Sequence, residues 1–257
     1  MIVRAGGRGK AAARTPRESR WRTRRYHLGV PVETETDPLT WRPMLSHLRR
    51  PSRDIADPIL EPYWEGLRVL AHLDRAHPSA GGGPLLRLLD IEGDDATDEE
   101  PAVVAELADA IMAEDAVVDG FLTDQATRSG EGVAIVGEVT SPRVPLLSSK
   151  GYDIDVRRRS ADEAAHPYAF VAIDLLRLDG QSLLDLPLLE RKRLLDAVVR
   201  QGPLVRVTPY TRPPLRGWLQ SWKSAGFGGA VVKSANSRYL PTSVTREWTL
   251  VTKMGGR

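Results

Sequence analysis

Chemistry at a protein site needs nucleophiles, proton carriers, metal ligands or concentrated charge at a defined spacing, and this chain offers few of them. It contains no cysteine, so thiolate catalysis, thiolate zinc sites and disulfides are excluded together. Its five histidines, at 27, 47, 72, 77 and 166, show no metal-ligand spacing. Gly6-Gly7-Arg8-Gly9-Lys10 lacks the spacing and the Ser/Thr hydroxyl of a phosphate-binding loop. Asp119, Asp124 and Asp174 could gather around a metal or serve as ordinary turn and inter-strand carboxylates. Arg68, Lys233 and the run Arg157-Arg158-Arg159 could hold phosphate or stand solvated at the surface. Tyr63-Trp64 is either a platform for a base or a packing pair at a strand edge.

These residues sit in a chain of 257, long enough to bury a substantial core, with 41% apolar and 27% charged residues. No run approaches the roughly 18 apolar residues of a membrane span, and no apolar stretch follows the basic N-terminus as in a secretory signal. A cytoplasmic protein is expected, and thirty arginines among 36 basic residues suggest a GC-rich bacterial genome. The formal net charge of +2 conceals a split. Residues 1–25 hold nine basic residues and one acid, which leaves 27 basic against 33 acidic residues, about −6, in the remainder. A mildly acidic body is poorly suited to gripping duplex DNA by its phosphates. The leader, residues 1–37, reads as disordered, and if it has a partner that partner is nucleic acid or an acidic protein.

The elements that must position the site are legible from about Trp41 onward. Leu67–Leu73 alternates as a strand behind Gly66, and Leu85–Leu89 follows as another. Pro101 suits the first turn of a helix whose face carries Val103, Val104, Leu107 and Ile111. Ala116–Val118 leads as a strand into Asp119-Gly120, and residues 139–166 are loop-rich. Phe170–Leu178 is a near-continuous apolar strand closed by the turn signal Asp179-Gly180. A helix over 187–200, a strand at Val205–Val207, a helix at Leu215–Ser224 and strands at Ala230–Lys233 and Trp248–Val251 complete an α+β chain of antiparallel sheets flanked by helices.

Phe170-Val171-Ala172-Ile173-Asp174-Leu175-Leu176-Arg177-Leu178-Asp179-Gly180, followed by Leu184, Leu186-Pro187-Leu188 and Glu190-Arg191-Lys192, resembles a diagnostic segment of the ATP-dependent DNA ligases. The likeness extends over about residues 41–253, from Arg42-Pro43-Met44-Leu45 to Trp248. It implies the ligase-type nucleotidyltransferase fold, ATP-grasp-like, over residues 38–257. The family attaches AMP to a lysine in the motif E-x-K-x-D-G-x-R, and that stretch here is Glu61-Pro62-Tyr63-Trp64-Glu65-Gly66-Leu67-Arg68. Tyr63 stands where the lysine belongs, and a phenol with a pKa near 10 is a poor nucleophile without strong activation. The other motifs depart as well. Ile91 replaces an arginine, Phe121 and Gly228 replace carboxylates, and Leu250 and Thr252 replace lysines, with Lys253 one residue late. An OB-fold that follows in ligases is not expected, because only four residues succeed Lys253.

What survives of the family's nucleotide pocket is Glu61, Arg68, Phe170 and Lys233. The resemblance therefore implies a ligase-like protein that is catalytically degenerate, with no catalytic residue and no metal site, acting as a binding or accessory module near DNA repair. ATP is the one cofactor to consider, bound weakly and with little dependence on Mg²⁺. Two other readings stay open: a divergent active ligase or nucleotidyltransferase, and a nucleotide sensor using the old pocket.

Overall fold

The computed structural model describes residues 36–48, 55–78, 82, 85–126 and 167–252. The basic leader, apart from its last two residues, lies outside them, as do residues 139–166, Arg157-Arg158-Arg159 and Lys253.

Among the described residues the first element is a short 3-10 turn, Pro38–Thr40, whose preceding Asp37 accepts a hydrogen bond from the Leu39 N–H at 3.0 Å. Ten strands follow in chain order: β1 Leu45–Leu48, β2 Pro58–Pro62, β3 Leu67–Asp74, β4 Leu85–Asp90, β5 Asp115–Thr123, β6 Ala169–Leu178, β7 Gln181–Ser182, β8 Val205–Val207, β9 Ala230–Ser234 and β10 Val244–Val251. Helices α1 Pro101–Ala110, α2 Leu188–Val198 and α3 Leu215–Ser224 interrupt them. The larger sheet runs β4-β3-β5-β6-β7, with β8 beside β6, and the smaller runs β1-β10-β9-β2. Pairing is antiparallel except for β1 on β10 and β8 on β6.

Alternation sorts the side chains into layers. Val69, Ala71 and Leu73 of β3 join Leu86 and Leu88 of β4, Val118 of β5 and Ala172 of β6 under α1 and α2, which contribute Val103, Leu107 and Leu195. From the opposite face Leu70 and Val117 meet Ile59, Val231, Trp248 and Leu250 of the smaller sheet. Leu219 and Trp222 of α3 join Leu60 and Val232 of that sheet in a third cluster. The larger sheet is therefore covered on both sides, which explains the near-continuous apolar run of β6.

The expected elements are present, and two strands are longer than their sequence signals. β5 continues through Asp119-Gly120 to Thr123, although that dipeptide resembles a strand end. Gly120 is kept in the strand by packing: a Cβ there would lie 2.4 Å from Phe170 Cζ and 2.7 Å from the Val171 carbonyl oxygen. β10 starts at Val244 because the parallel partner β1 pairs with Val244 and Thr245. The β6–β7 hairpin turns at Asp179-Gly180, both with positive φ (44° and 81°), as the turn signal requires. Among the described residues no helix is long and apolar enough to cross a membrane.

Candidate functional site

The sheets face each other across a cleft walled by β2, β3, β9 and β10. Tyr63, just past β2, lines it together with Glu61, Arg68, Ile91, Phe121 and Lys233. Seven of the motif positions (Glu61, Tyr63, Arg68, Ile91, Phe121, Lys233 and Leu250) thus converge on one place, although they are spread from residue 61 to residue 250.

Little space remains there. The cavity holds about 50 Å³, room for a few waters, whereas small-molecule sites usually occupy about 300–1,000 Å³. Apolar side chains have filled it: Ile91, Phe121, Ile173, Trp248 and Leu250 all line the cavity. Tyr63 is 5% exposed and packs in the core cluster between the sheets, with its N–H bonded to the Gly229 carbonyl at 3.1 Å. Trp64 points into the neighbouring cluster, donating Nε1–H to Thr208 Oγ1 at 2.9 Å and meeting Phe227 edge to face at 5.0 Å. The aromatic pair is a packing pair, one ring to each cluster.

The surviving charges are turned on one another. Lys233 donates to Glu61 Oε2 at 2.8 Å and stands 4.0 Å above the Trp248 ring. Lys192 of α2 reaches the other oxygen, Oε1, at 2.7 Å, so one carboxylate serves two buried lysines. Arg68 forms a fork on Asp119 at 2.6 and 2.7 Å, and Tyr239 donates its hydroxyl to the same carboxylate at 2.7 Å. Arg191 of α2 forms a second fork on Asp174 at 2.8 and 2.9 Å, with neither side chain exposed. Asp119 and Asp174 are direct cross-strand partners on β5 and β6, an arrangement whose repulsion the two arginines remove.

Four cations (Arg68, Arg191, Lys192, Lys233) thus meet three carboxylates (Glu61, Asp119, Asp174) in this network. Lys233 carries the consequence. Burial, helped by the neighbouring charge of Lys192 and opposed by Glu61, lowers its pKa to about 8. For Arg68 burial also acts against the charge, yet the attraction and hydrogen bonds of Asp119 outweigh it and raise the pKa. Desolvation and the Asp119 charge push the Tyr239 phenol well above its ordinary value.

Two expectations change. Phe170 does not reach the cleft: it is fully buried on the opposite face of β6, in the cluster under α1 and α2, with its ring over Gly120. Ile173, three residues along, occupies the cleft wall instead, since side chains an odd number apart leave opposite faces of a strand. Arg68 and Lys233 are neither surface charges nor open phosphate contacts, because each is buried against a carboxylate of the chain itself. Asp119 and Asp174, open in the sequence between metal ligands and ordinary inter-strand carboxylates, accept from Arg68 and Arg191.

Lys192, Arg191 and Tyr239 received no role from the sequence. The signal was present: Leu188, Arg191, Lys192 and Leu195 occupy i, i+3, i+4 and i+7 of α2, so two cations sit in an apolar stripe. Charges placed there must find buried acids.

Residues 56–251 match the family model described as ATP dependent DNA ligase domain. The chain belongs to that family. It is 27% identical over 183 residues to DNA ligase C1 of Mycolicibacterium smegmatis, covering 70% of this chain and 47% of that protein. It is 31% identical over 183 residues to a probable DNA ligase of Streptomyces griseus, covering 68% of this chain and 32% of that one. The chain therefore spans about a third to a half of the length of these ligases. Its fold is that of the ligase domain from M. tuberculosis LigD, with a TM-score of 0.56 at 23% identity over 83% of this chain and 60% of that one. This ligase-family chain has the adenylation-domain fold with its cleft closed.

Proposed function

We propose that this chain is a ligase-family adenylation domain that no longer transfers AMP and serves as a non-catalytic binding module, linked to DNA repair through its family. The observation that carries the reading is the closed cleft: Tyr63 stands at the nucleophile position beside about 50 Å³ of space, and among the described residues Arg68, Arg191, Lys192 and Lys233 are each engaged by Glu61, Asp119 or Asp174. Adenylyl transfer needs an amine to attack the α-phosphorus as pyrophosphate leaves, with positive charge on the phosphates as it does so. Tyr63 forms no phosphoramide. Any remaining ATP binding is weak and depends little on Mg²⁺, because Phe121 and Gly228 stand where the family has carboxylates. The partner contact is placed, on charge alone, in the basic leader.

The experiment incubates wild type and Tyr63→Lys with α-labelled ATP and Mg²⁺ and looks for label on the protein. Neither should be labelled, since loss of several phosphate clamps together can cost many powers of ten in rate. Label on the wild type overturns the reading. Label on the variant alone would mean that the cleft opens and that Tyr63 is the single lesion.

A further inference from the structure

A second cavity, about 450 Å³, lies at the other end of the larger sheet and is nine times the volume of the closed cleft. This is within the size range of small-molecule sites, about 300–1,000 Å³. Its floor is one row of cross-strand partners: Arg87 on β4 opposite His72 on β3, His72 opposite Val117 on β5, and Val117 opposite Arg177 on β6. Directly paired residues share a face, so these side chains project together. Asp37 stands at the 3-10 turn, and Asp74, Glu114 and Asp115 complete the acidic lining.

The charges do not cancel. Arg87 is taken by Asp95 at 3.0 Å, Arg177 by Asp115 at 2.9 Å, and Asp74 by His77 at 2.7 Å. Asp37 and Glu114 have no ion pair among the described residues, although both line the cavity. At the floor, His72 is 7% exposed, and its ring makes no hydrogen bond to any described residue. A buried imidazole left without a partner is uncommon in a folded protein. Burial first, then the charges of Arg87 and Arg42 with Asp37 opposing, lower its pKa to about 4, so the ring is neutral near pH 7 and offers one donor and one acceptor.

The geometry points to a binding site for a small organic cation, an ammonium or guanidinium compound, held by Asp37 and Glu114 at the rim and hydrogen-bonded to His72 at the floor. An anion would meet two uncompensated carboxylates, and a neutral ligand would leave them unused. A cation of this size supplies the N–H donors that a neutral imidazole acceptor lacks. This site is separate from the cleft, so it stands or falls independently of the adenylation reading.

The test uses the full chain and agmatine, which carries one ammonium and one guanidinium. Calorimetry should show saturable binding, and the His72 imidazole nitrogens, assigned by comparison with His72→Gln, should shift in a ¹⁵N spectrum as agmatine is added. The double variant Asp37→Asn/Glu114→Gln keeps both side-chain shapes and the cap on Leu39, and should bind at least about ten-fold more weakly, the scale of one to two lost ion-pair contacts. N-Butylurea, similar in size but uncharged, should not bind measurably. Absence of binding at millimolar agmatine overturns the proposal, as does equal binding by the double variant. Agmatine binding without a shift at His72, or butylurea binding as tightly as agmatine, would overturn it too.

Discussion

Glu61 accepts from Lys233 on one oxygen and faces Lys192 on the other, and all three side chains are at most 2% exposed. Removing one partner of a buried ion pair costs about 3–5 kcal/mol, because the remaining charge stays desolvated. Glu61→Gln strands two lysines and should reach the upper part of that range in urea unfolding. Lys233→Met removes the surplus cation while Glu61 keeps Lys192, and fills the space above Trp248 with a thioether of similar length. It should cost less than half as much. Equal losses for the two substitutions would show that the network holds no surplus charge.

At the scale of elements, β5 and β6 form the spine of the larger sheet and set the site from both faces. Asp119 and Asp174 turn towards the arginines, while Phe170 turns away beneath the helices and lies over Gly120. The strand pair can close only because residue 120 has no side chain. Gly120→Ala would press a methyl group against the Phe170 ring and the Val171 carbonyl, and backbone in the middle of a sheet cannot move aside cheaply. The expected loss is about 3 kcal/mol, at the upper end of overpacking costs, read as a lower urea midpoint. A variant as stable as wild type would mean that Phe170 has free space beside it.

For the whole molecule, three buried groups, His72, Lys233 and Tyr239, contribute to how stability follows pH. His72 titrates near 4 in the folded chain against an ordinary 6.5, and Lys233 near 8 against an ordinary 10.5. In each window the unfolded chain binds a proton that the folded chain does not, so stability rises with pH from about 4 to 6.5 and again from about 8 towards 10.5. Tyr239 acts in the opposite sense: its raised pKa keeps the proton on the folded chain while the unfolded phenol ionises, so stability falls as pH passes its ordinary value of 10.0. Denaturant midpoints should therefore be higher at pH 9 than at pH 7.5. His72→Gln should flatten the acid rise, and Lys233→Met the alkaline one. A midpoint that falls steadily from pH 7.5 to 9 would contradict the buried lysine.

The sequence by itself determined the family, the α+β class and most strands and helices, because apolar periodicity and turn residues are local signals. The run Phe170–Gly180 carries both, and its strand and turn are where the pattern puts them. It also marked the motif positions, since a motif is a matter of order along the chain. The tertiary structure alone decided what those positions became. Phe170 and Ile173 lie three residues apart on one strand, and only the fold shows which face looks into the cleft. Arg68 and Lys233 match phosphate contacts by motif, but Asp119 and Glu61, 51 and 172 residues away, stand beside them in the fold. Charge neutralisation and cavity volume depend on residues distant in sequence, and a single sequence does not record those distances.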